Sequence, residues 1–340
     1  MLLDPVQART VYALAARERF AILAVNADSP ACIADVLEAA RLADAPVIIE
    51  TSLWQLKGHS FGGGDPLRGL ARYLADLSVL AEDPAYVQVP VLFHTDHIKG
   101  PDTVRIISAA ISGVALRNQQ SSAVLRASSI SLDASELSEE QNIATLSTLI
   151  EHARAHGLPA TCEMEAGVDD GITELAVIER LVGGLERRHP GYLALFAPGV
   201  GTQHGFSSGG FPTFSPDAIA GAKKLIDGIC GRPMGIALHG STGLGAEQLR
   251  AGVAAGVTKV NWSSESLFVR ASAAKAWWAA NGERIDTTHR DFKATAMDNG
   301  VQSAVAAAYV PVVRQRLETL GSAGRGALCR QALLAKQAAS

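Results

Sequence analysis

The chain has 340 residues, 48% hydrophobic and 19% charged, a composition that supports a sizeable packed core and excludes a disordered protein. Its formal net charge of −4 offers no basic footprint for nucleic acid, and no apolar run approaches the length needed to cross a bilayer. The four cysteines, Cys32, Cys162, Cys230 and Cys329, form no CxxC pair, and the first helical stretch carries Arg9, Arg17, Glu18 and Arg19 where a secretory leader would be apolar. Reduced thiols and a cytoplasmic location are therefore expected.

Short β-branched runs follow in order: AILAVN (21–26), PVIIE (46–50), VPVLF (89–93), SISLD (129–133), PATCEME (159–165), YLALFAPG (192–199), GIALHG (235–240) and VTKVNW (257–262). Amphipathic stretches separate them. One, SEEQNIATLSTLIEHARAHG, has helical spacing of Ile143, Leu146, Leu149 and Ile150 behind a Ser138-Glu139 start. Eight strand candidates alternating with helices predict a (β/α)8 TIM barrel rather than a doubly wound sheet, and no GxGxxG follows the first strand. The triple glycine at 62–64 sits in a long loop after the second run; it could cradle a phosphate, but a mobile lid is the commoner use of such a loop and is the expectation here. Beyond about residue 265 the chain reads as helices, including Trp277 and Trp278. With no linker, repeat or low-complexity segment, residues 1–340 are read as one barrel domain with a C-terminal helical extension.

Polar residues gather at the ends of six runs. The third ends at His94, Asp96 and His97, the fourth at Asp133 and Ser135, and the fifth in Glu163 and Glu165. The sixth leads into GVGTQHG with His204, the seventh ends at His239, and the eighth at Asn261, followed by Ser263 and Ser264. In a (β/α)8 barrel these ends open onto one face, where such barrels carry their active sites. Alternation puts Glu163 with Glu165, Ser131 with Asp133, and Lys259 with Asn261 on common faces. Three histidines with an open fourth position suit a catalytic Zn²⁺ that polarises a carbonyl, with Asp133 and Glu165 available to a second metal position. Asp96, beside a ligand, is placed as a general acid/base. The alternative, that these histidines merely hydrogen-bond loop backbones, leaves their shared placement unexplained.

With these residues in view, the chain resembles the class II, metal-dependent fructose- and tagatose-bisphosphate aldolases. The resemblance lies in five blocks: HTDH (94–97), SLDASELSEEQN (131–142), EMEAG (163–167), GTQHG (201–205), and LHGSTG with GVTKVNWSSE (238–265). It implies His97, His204 and His239 as zinc ligands, Asp96 as the residue that moves the C4 oxygen proton, and Glu165 and Asp133 as a second metal position. It also implies Asn261 as the residue stabilising the enediolate. Gly205, Gly240, Ser241, Ser263 and Ser264, grouped with Asn26 at the end of the first run, are implied as binding the phosphate of dihydroxyacetone phosphate and a monovalent cation. The implied protein is a cytoplasmic homo-oligomer, a dimer or tetramer, acting on a small sugar phosphate.

Several features depart from the family pattern. The acidic loop is shortened to EAGVDDG, leaving Asp169 and Asp170 as stand-ins for the base that takes the C1 proton. No lysine follows the histidine–glycine of HGFSSGGFPTFSP, and Ser263 stands where many members have an aspartate. The stretch ETSLWQLKGHSFGGGDP (50–66) looks more like that of the non-catalytic partner subunit of tagatose-bisphosphate aldolases; within it Lys57, His59 and Arg68 just beyond are candidates to meet a distal phosphate or sulfonate.

Three rivals stand beside the metal aldolase. A Schiff-base aldolase would use Lys259, inward on the eighth strand, and leaves the histidines without a role. A metal-dependent hydrolase would normally place a His-x-His pair on the first strand, where AILAVNADS has none. A non-catalytic stabilising subunit of a tagatose-bisphosphate aldolase-type complex would have no need of Asp96, the three histidines and Asn261.

Overall fold

β-branched runs bounded by polar turns become strands here because both their faces are buried, one inside a barrel and one under helices. The computed structural model describes residues 1–117, 122–167, 169, 171–206 and 213–338. Ten strands lie among them: β1 (Ile22–Asn26), β2 (Val47–Thr51), β3 (Val91–Thr95), β4 (Val114–Arg117), β5 (Ser122–Leu125), β6 (Ser129–Ile130), β7 (Cys162–Glu165), β8 (Leu193–Ala197), β9 (Gly235–Leu238) and β10 (Val257–Trp262). Eight of them close a parallel barrel in the order β1-β10-β9-β8-β7-β6-β3-β2, so each predicted run supplies a barrel strand and the (β/α)8 expectation holds.

The intervening helices start where their capping residues dictate. Ser29 caps Pro30–Ala43, and Ser138 with Gln141 forms a capping box at the start of Glu139–Ala155, as the Ser138-Glu139 start predicts. Two local expectations change. The fourth run is a strand only over Ser129–Ile130, and an antiparallel β4–β5 hairpin precedes it, pairing Val114 with Leu125. The 50–66 stretch is not loop throughout: it forms a short helix, Leu53–Lys57, and tight turns over fully buried Leu56 and Phe61, with the Phe61 and Tyr73 rings 4.3 Å apart.

Period-two alternation arranges the barrel interior in layers. At the bottom Ile22, Ala24, Ile48, Leu92 and Leu195 pack against Tyr12, Leu14 and Ala15, so the N-terminal helix Pro5–Glu18 closes that end. The next inward positions are charged or polar: Glu50, His94, Glu163 and Lys259, all fully buried. Lys259 Nζ lies 3.2 Å from Glu50 Oε2 and 3.0 Å from Glu163 Oε2. His94 Nδ1 shares a 2.8 Å hydrogen bond with Ser129 Oγ, which in turn meets the Tyr12 hydroxyl at 2.8 Å. Above this layer come Asn26, Asp96, Glu165, His239 and Asn261 at the C-terminal ends. On the outer side the helix Asp298–Thr319 stacks Tyr309 on Trp262, with ring planes within 5° and centroids 5.7 Å apart.

Removing one partner of a buried ion pair strands the others in a medium of low dielectric constant. Lys259→Met is expected to lower the unfolding free energy by about 3–5 kcal/mol, measured by urea titration followed by circular dichroism. A stability equal to wild type would mean that the middle layer does not hold the barrel together.

Candidate active site

The C-terminal ends of the strands open into a cavity of about 760 Å³ lined by Asn26, Asp96, His97, His204, Gly240 and Asn261 among others. Volumes of this order suit small-molecule sites. Asp96 is almost fully buried on its wall, with Oδ2 accepting from Asn26 Nδ2 and Oδ1 from Asn261 Nδ2, both at 3.0 Å. Burial pushes this carboxyl up, but the positive charges of His97 and Lys259 and the Asn26 hydrogen bond prevail and hold it at about 2. It is therefore an anion throughout the physiological range.

His97, His204 and His239 each offer a ring nitrogen, and these nitrogens lie within 4.8 Å of one another. His97 adopts a left-handed backbone, φ 44°, rare for a side chain of this size. This follows directly after the strand end and turns the ring toward the other two, whose centroids lie 4.6 Å (His204) and 5.0 Å (His239) away. Its nitrogens stand 3.6 Å from Asp96, 3.7 Å from Asp133 and 3.8 Å from Glu165. Burial disfavours a charge on His97, yet Asp96, Asp133 and Glu165 outweigh it and push its proton affinity up to about 10. The field that holds a proton there would equally hold a metal cation.

His239 is fully buried, and burial followed by the charge on His97 keeps it neutral. Its Nε2 meets Glu163 Oε1 at 2.9 Å, while Nδ1 has no protein hydrogen-bond partner. His204 is the exposed member, with Nδ1 3.0 Å from Asp169 Oδ2 and its backbone N–H donating to Asp169 Oδ1 at 2.7 Å. Three imidazoles, one with an unpartnered buried nitrogen, amid an excess of carboxylates make a donor set that fits a divalent metal. His97, Asp133 and Glu165 form a second such group. Glu165 is pushed up to about 7 by burial against the pull of His97 and the 2.5 Å Ala134 N–H bond. Burial raises the Asp133 carboxyl, but the His97 ring and then the Ser135 hydroxyl and backbone N–H hydrogen bonds more than offset it and hold it low.

The anion-binding candidates converge on the same wall. Gly205, Gly240, Ser241, Ser263 and Ser264 all line the cavity. Gly240 has φ 65°, and a Cβ there would meet the Gln203 carbonyl oxygen at 2.6 Å, so no other residue lets the two strand exits approach this closely. Ser263 precedes the 18-residue helix Ser264–Asn281 and makes no side-chain cap bond, so its hydroxyl does not occupy the first-turn N–H groups.

The expected residues thus come together, with two exceptions. Asp169 lines the cavity but is engaged with His204, and Asp170 lies outside the described residues. Of Lys57, His59 and Arg68, Lys57 lines the cavity, whereas Arg68 is turned to the Gly62 carbonyl and Asp65. Sequence reasoning left Glu50 and Glu163 without roles. The available signal was charge placed within three otherwise apolar runs, Glu50 in PVIIE, Glu163 in TCEME and Lys259 in VTKVNW, since a buried charge requires a partner of opposite sign.

The structure also bears on Lys259 as a nucleophile. Burial works against its charge, but Glu163 and Glu50 raise its proton affinity above the ordinary lysine value, so it is an ammonium with no free lone pair. Borohydride added with dihydroxyacetone phosphate is expected to leave the intact mass unchanged. A reduced adduct on Lys259 would restore the imine route.

A family profile described as fructose-bisphosphate aldolase class-II matches residues 6–325. A fructose-bisphosphate aldolase of Streptococcus pneumoniae is 28% identical over 298 residues, 85% of this chain and 88% of that protein. A 6-phospho-5-dehydro-2-deoxy-D-gluconate aldolase of Bacillus velezensis is 24% identical over 328 residues, covering 94% and 97%. Among solved structures, the fructose-bisphosphate aldolase of Campylobacter jejuni superposes with a TM-score of 0.77 at 20% identity, covering 95% of this chain and 96% of that one. The YdjI aldolase of Escherichia coli K12 gives 0.68 at 18% identity, covering 96% and 100%, so both share the fold.

Proposed function

This chain belongs to the class II fructose-bisphosphate aldolase family, and with it is an aldolase, a carbon–carbon lyase acting on sugar phosphates; from that premise we propose a zinc-dependent enzyme that reversibly cleaves a ketose phosphate or close analogue to dihydroxyacetone phosphate and an aldehyde. The observation that carries this reading is the convergence of His97, His204 and His239 beside an Asp96 pinned between two amides. Relatives of similar identity carry names for two different sugar substrates, so the reading is stated for the class of ketose phosphates.

His97, His204 and His239 would hold the catalytic ion, and His97 with Asp133 and Glu165 a second divalent position. When bound, zinc supplies Lewis acidity toward the ketone oxygen, where cleavage leaves negative charge. Asp96 takes the C4 hydroxyl proton as the C3–C4 bond breaks and returns it on condensation; its fixed orientation and full ionisation suit it to that task. Asn261 donates to Asp96 through Nδ2, and its Oδ1 is buried without a protein partner, free to accept from a substrate hydroxyl and orient the enediolate side. Asn26 fixes Asp96 from the opposite side.

Gly205, Gly240, Ser241, Ser263 and Ser264, at the start of the Ser264–Asn281 helix, are proposed to bind the phosphate through backbone N–H groups and hydroxyls, together with a monovalent cation. That arrangement needs no lysine after His204. Asp169 is proposed as the base for the C1 proton, with Asp170 as the alternative. Lys57, on the cavity wall without an acidic partner among the described residues, is proposed to meet an anionic group on the aldehyde half.

A stabilising subunit would have no use for an aspartate held by two amides under three converging histidines, and the site favours the enzyme. No described helix is long and apolar enough to cross a membrane. The four free cysteines fit a cytoplasmic setting, and a homodimer or homotetramer is proposed.

Exhaustive chelation is expected to abolish release of dihydroxyacetone phosphate from a ketose bisphosphate, and added Zn²⁺ to restore it. Full activity after chelation would contradict a metal enzyme. Asp96→Ala is expected to lower kcat by about 10²–10⁴-fold with an unchanged circular dichroism spectrum, in steady-state assays. A kcat within a few-fold of wild type would remove Asp96 from the proton transfer.

A further inference from the structure

Glu163 has no part in the chemistry proposed above, yet it is fully buried in the middle of the barrel. Its Oε1 lies 2.9 Å from His239 Nε2 and 3.3 Å from Lys259 Nζ. Its Oε2 lies 3.0 Å from Lys259 Nζ and 3.7 Å from His94 Nε2. Placing carboxylates and an ammonium inside a closed barrel carries a desolvation cost of several kcal/mol per ion before pairing. Filling the barrel does not require it: Ile48 and Leu92, one inward step lower, occupy it with hydrocarbon.

The arrangement has a specific consequence for His239. Nε2 faces Oε1, the oxygen that already accepts from Lys259 Nζ, so Nε2 is the ring nitrogen that donates and the lone pair lies on Nδ1. That atom is buried, has no protein hydrogen-bond partner, and stands 3.6 Å from Glu165 Oε2 in the metal-binding corner. The His204–Asp169 contact follows the same pattern at the solvent-facing end, but there the side chains are 39% and 58% exposed and water screens the pair. The dry His239–Glu163 pair is the one able to fix its ring.

We infer that Glu163, with Lys259 as its counter-ion, is the positioning residue that locks His239 as the Nε2–H tautomer and presents Nδ1 to the metal. The inference rests on the reading of His239 as a metal ligand. It gives the inward lysine an electrostatic role: Lys259, 3.0 Å from Glu163 Oε2, is the cation paired with the carboxyl behind a metal ligand. Glu50, on the far side of Lys259 at 3.2 Å, is pushed up to about 8 with the lysine in place, chiefly by burial, so it is largely protonated at neutral pH and leaves no further buried charge unpaired when Lys259 is replaced.

Zinc affinity is measured by competition with a chromophoric chelator on wild type, His239→Asn, Glu163→Gln and the double variant Glu163→Gln/Lys259→Met. The double variant removes the two charges together and leaves no buried ammonium unpaired. Both Glu163 variants are expected to bind Zn²⁺ about 10–100-fold more weakly than wild type. Long-range ¹H–¹⁵N spectra of metal-free wild type are expected to show His239 protonated on Nε2. Wild-type affinity in a folded Glu163→Gln/Lys259→Met protein overturns the inference, as does an Nδ1–H tautomer in the wild-type spectrum, a readout that stands even if the variants fail to fold. Wild-type affinity in His239→Asn instead overturns the assignment of His239 as a ligand, and the inference with it.

Discussion

The ion pair between Lys259 and Glu163, with Glu50 on the far side of the lysine, is the constraint on which the barrel interior depends. A closed eight-stranded barrel excludes water, so any charge inside must be balanced inside. Below this layer the N-terminal helix seals the strand starts with hydrocarbon and Tyr12. Above it, the strand ends open to solvent and substrate. The middle layer therefore joins an apolar floor to a polar roof, and Glu163, which touches both Lys259 and His239, is the point where the charge balance of the core meets the geometry of the site.

The roof is not neutral. Asp96, Asp133, Glu165 and Asp169 line the cavity, while Lys99 is paired with Asp133 and Glu136. This surplus of negative charge around three imidazoles is what a cation site requires, and it explains why His97 tolerates a left-handed backbone: the turn brings its ring against three carboxylates at once. Asp96 shows how local partners sort neighbouring carboxyls. Held by two amides it stays ionised, whereas Glu165, buried beside it with one backbone donor, sits close to neutrality.

Most of this was legible in the sequence, because strands buried on both faces announce themselves as short β-branched runs and period two then fixes which residues face inward. Asp96, His97, His204, His239 and Asn261 could be placed on one rim from their positions at the ends of those runs. The β4–β5 hairpin escaped notice because it interrupts a helix-to-strand passage with runs too short to stand out. In the 50–66 stretch the glycines hid the short helix Leu53–Lys57 that precedes them, and of the three Gly62 is needed for close approach: a Cβ there would meet the Leu56 carbonyl at 1.9 Å. Charge pairing across the barrel was also hidden, since Glu50, Glu163 and Lys259 lie on strands far apart in sequence and only closure of the sheet brings them together.

In the proposed reaction the three-histidine corner and the glycine–serine wall beside it make an enediolate from dihydroxyacetone phosphate. The most direct test is exchange of a C1 proton of that compound in D₂O, followed by NMR with zinc-loaded and chelated protein. Stereospecific exchange of one C1 proton is expected with the metal present and none after chelation. No exchange by zinc-loaded protein, or the same rate after the metal is removed, would contradict that reaction.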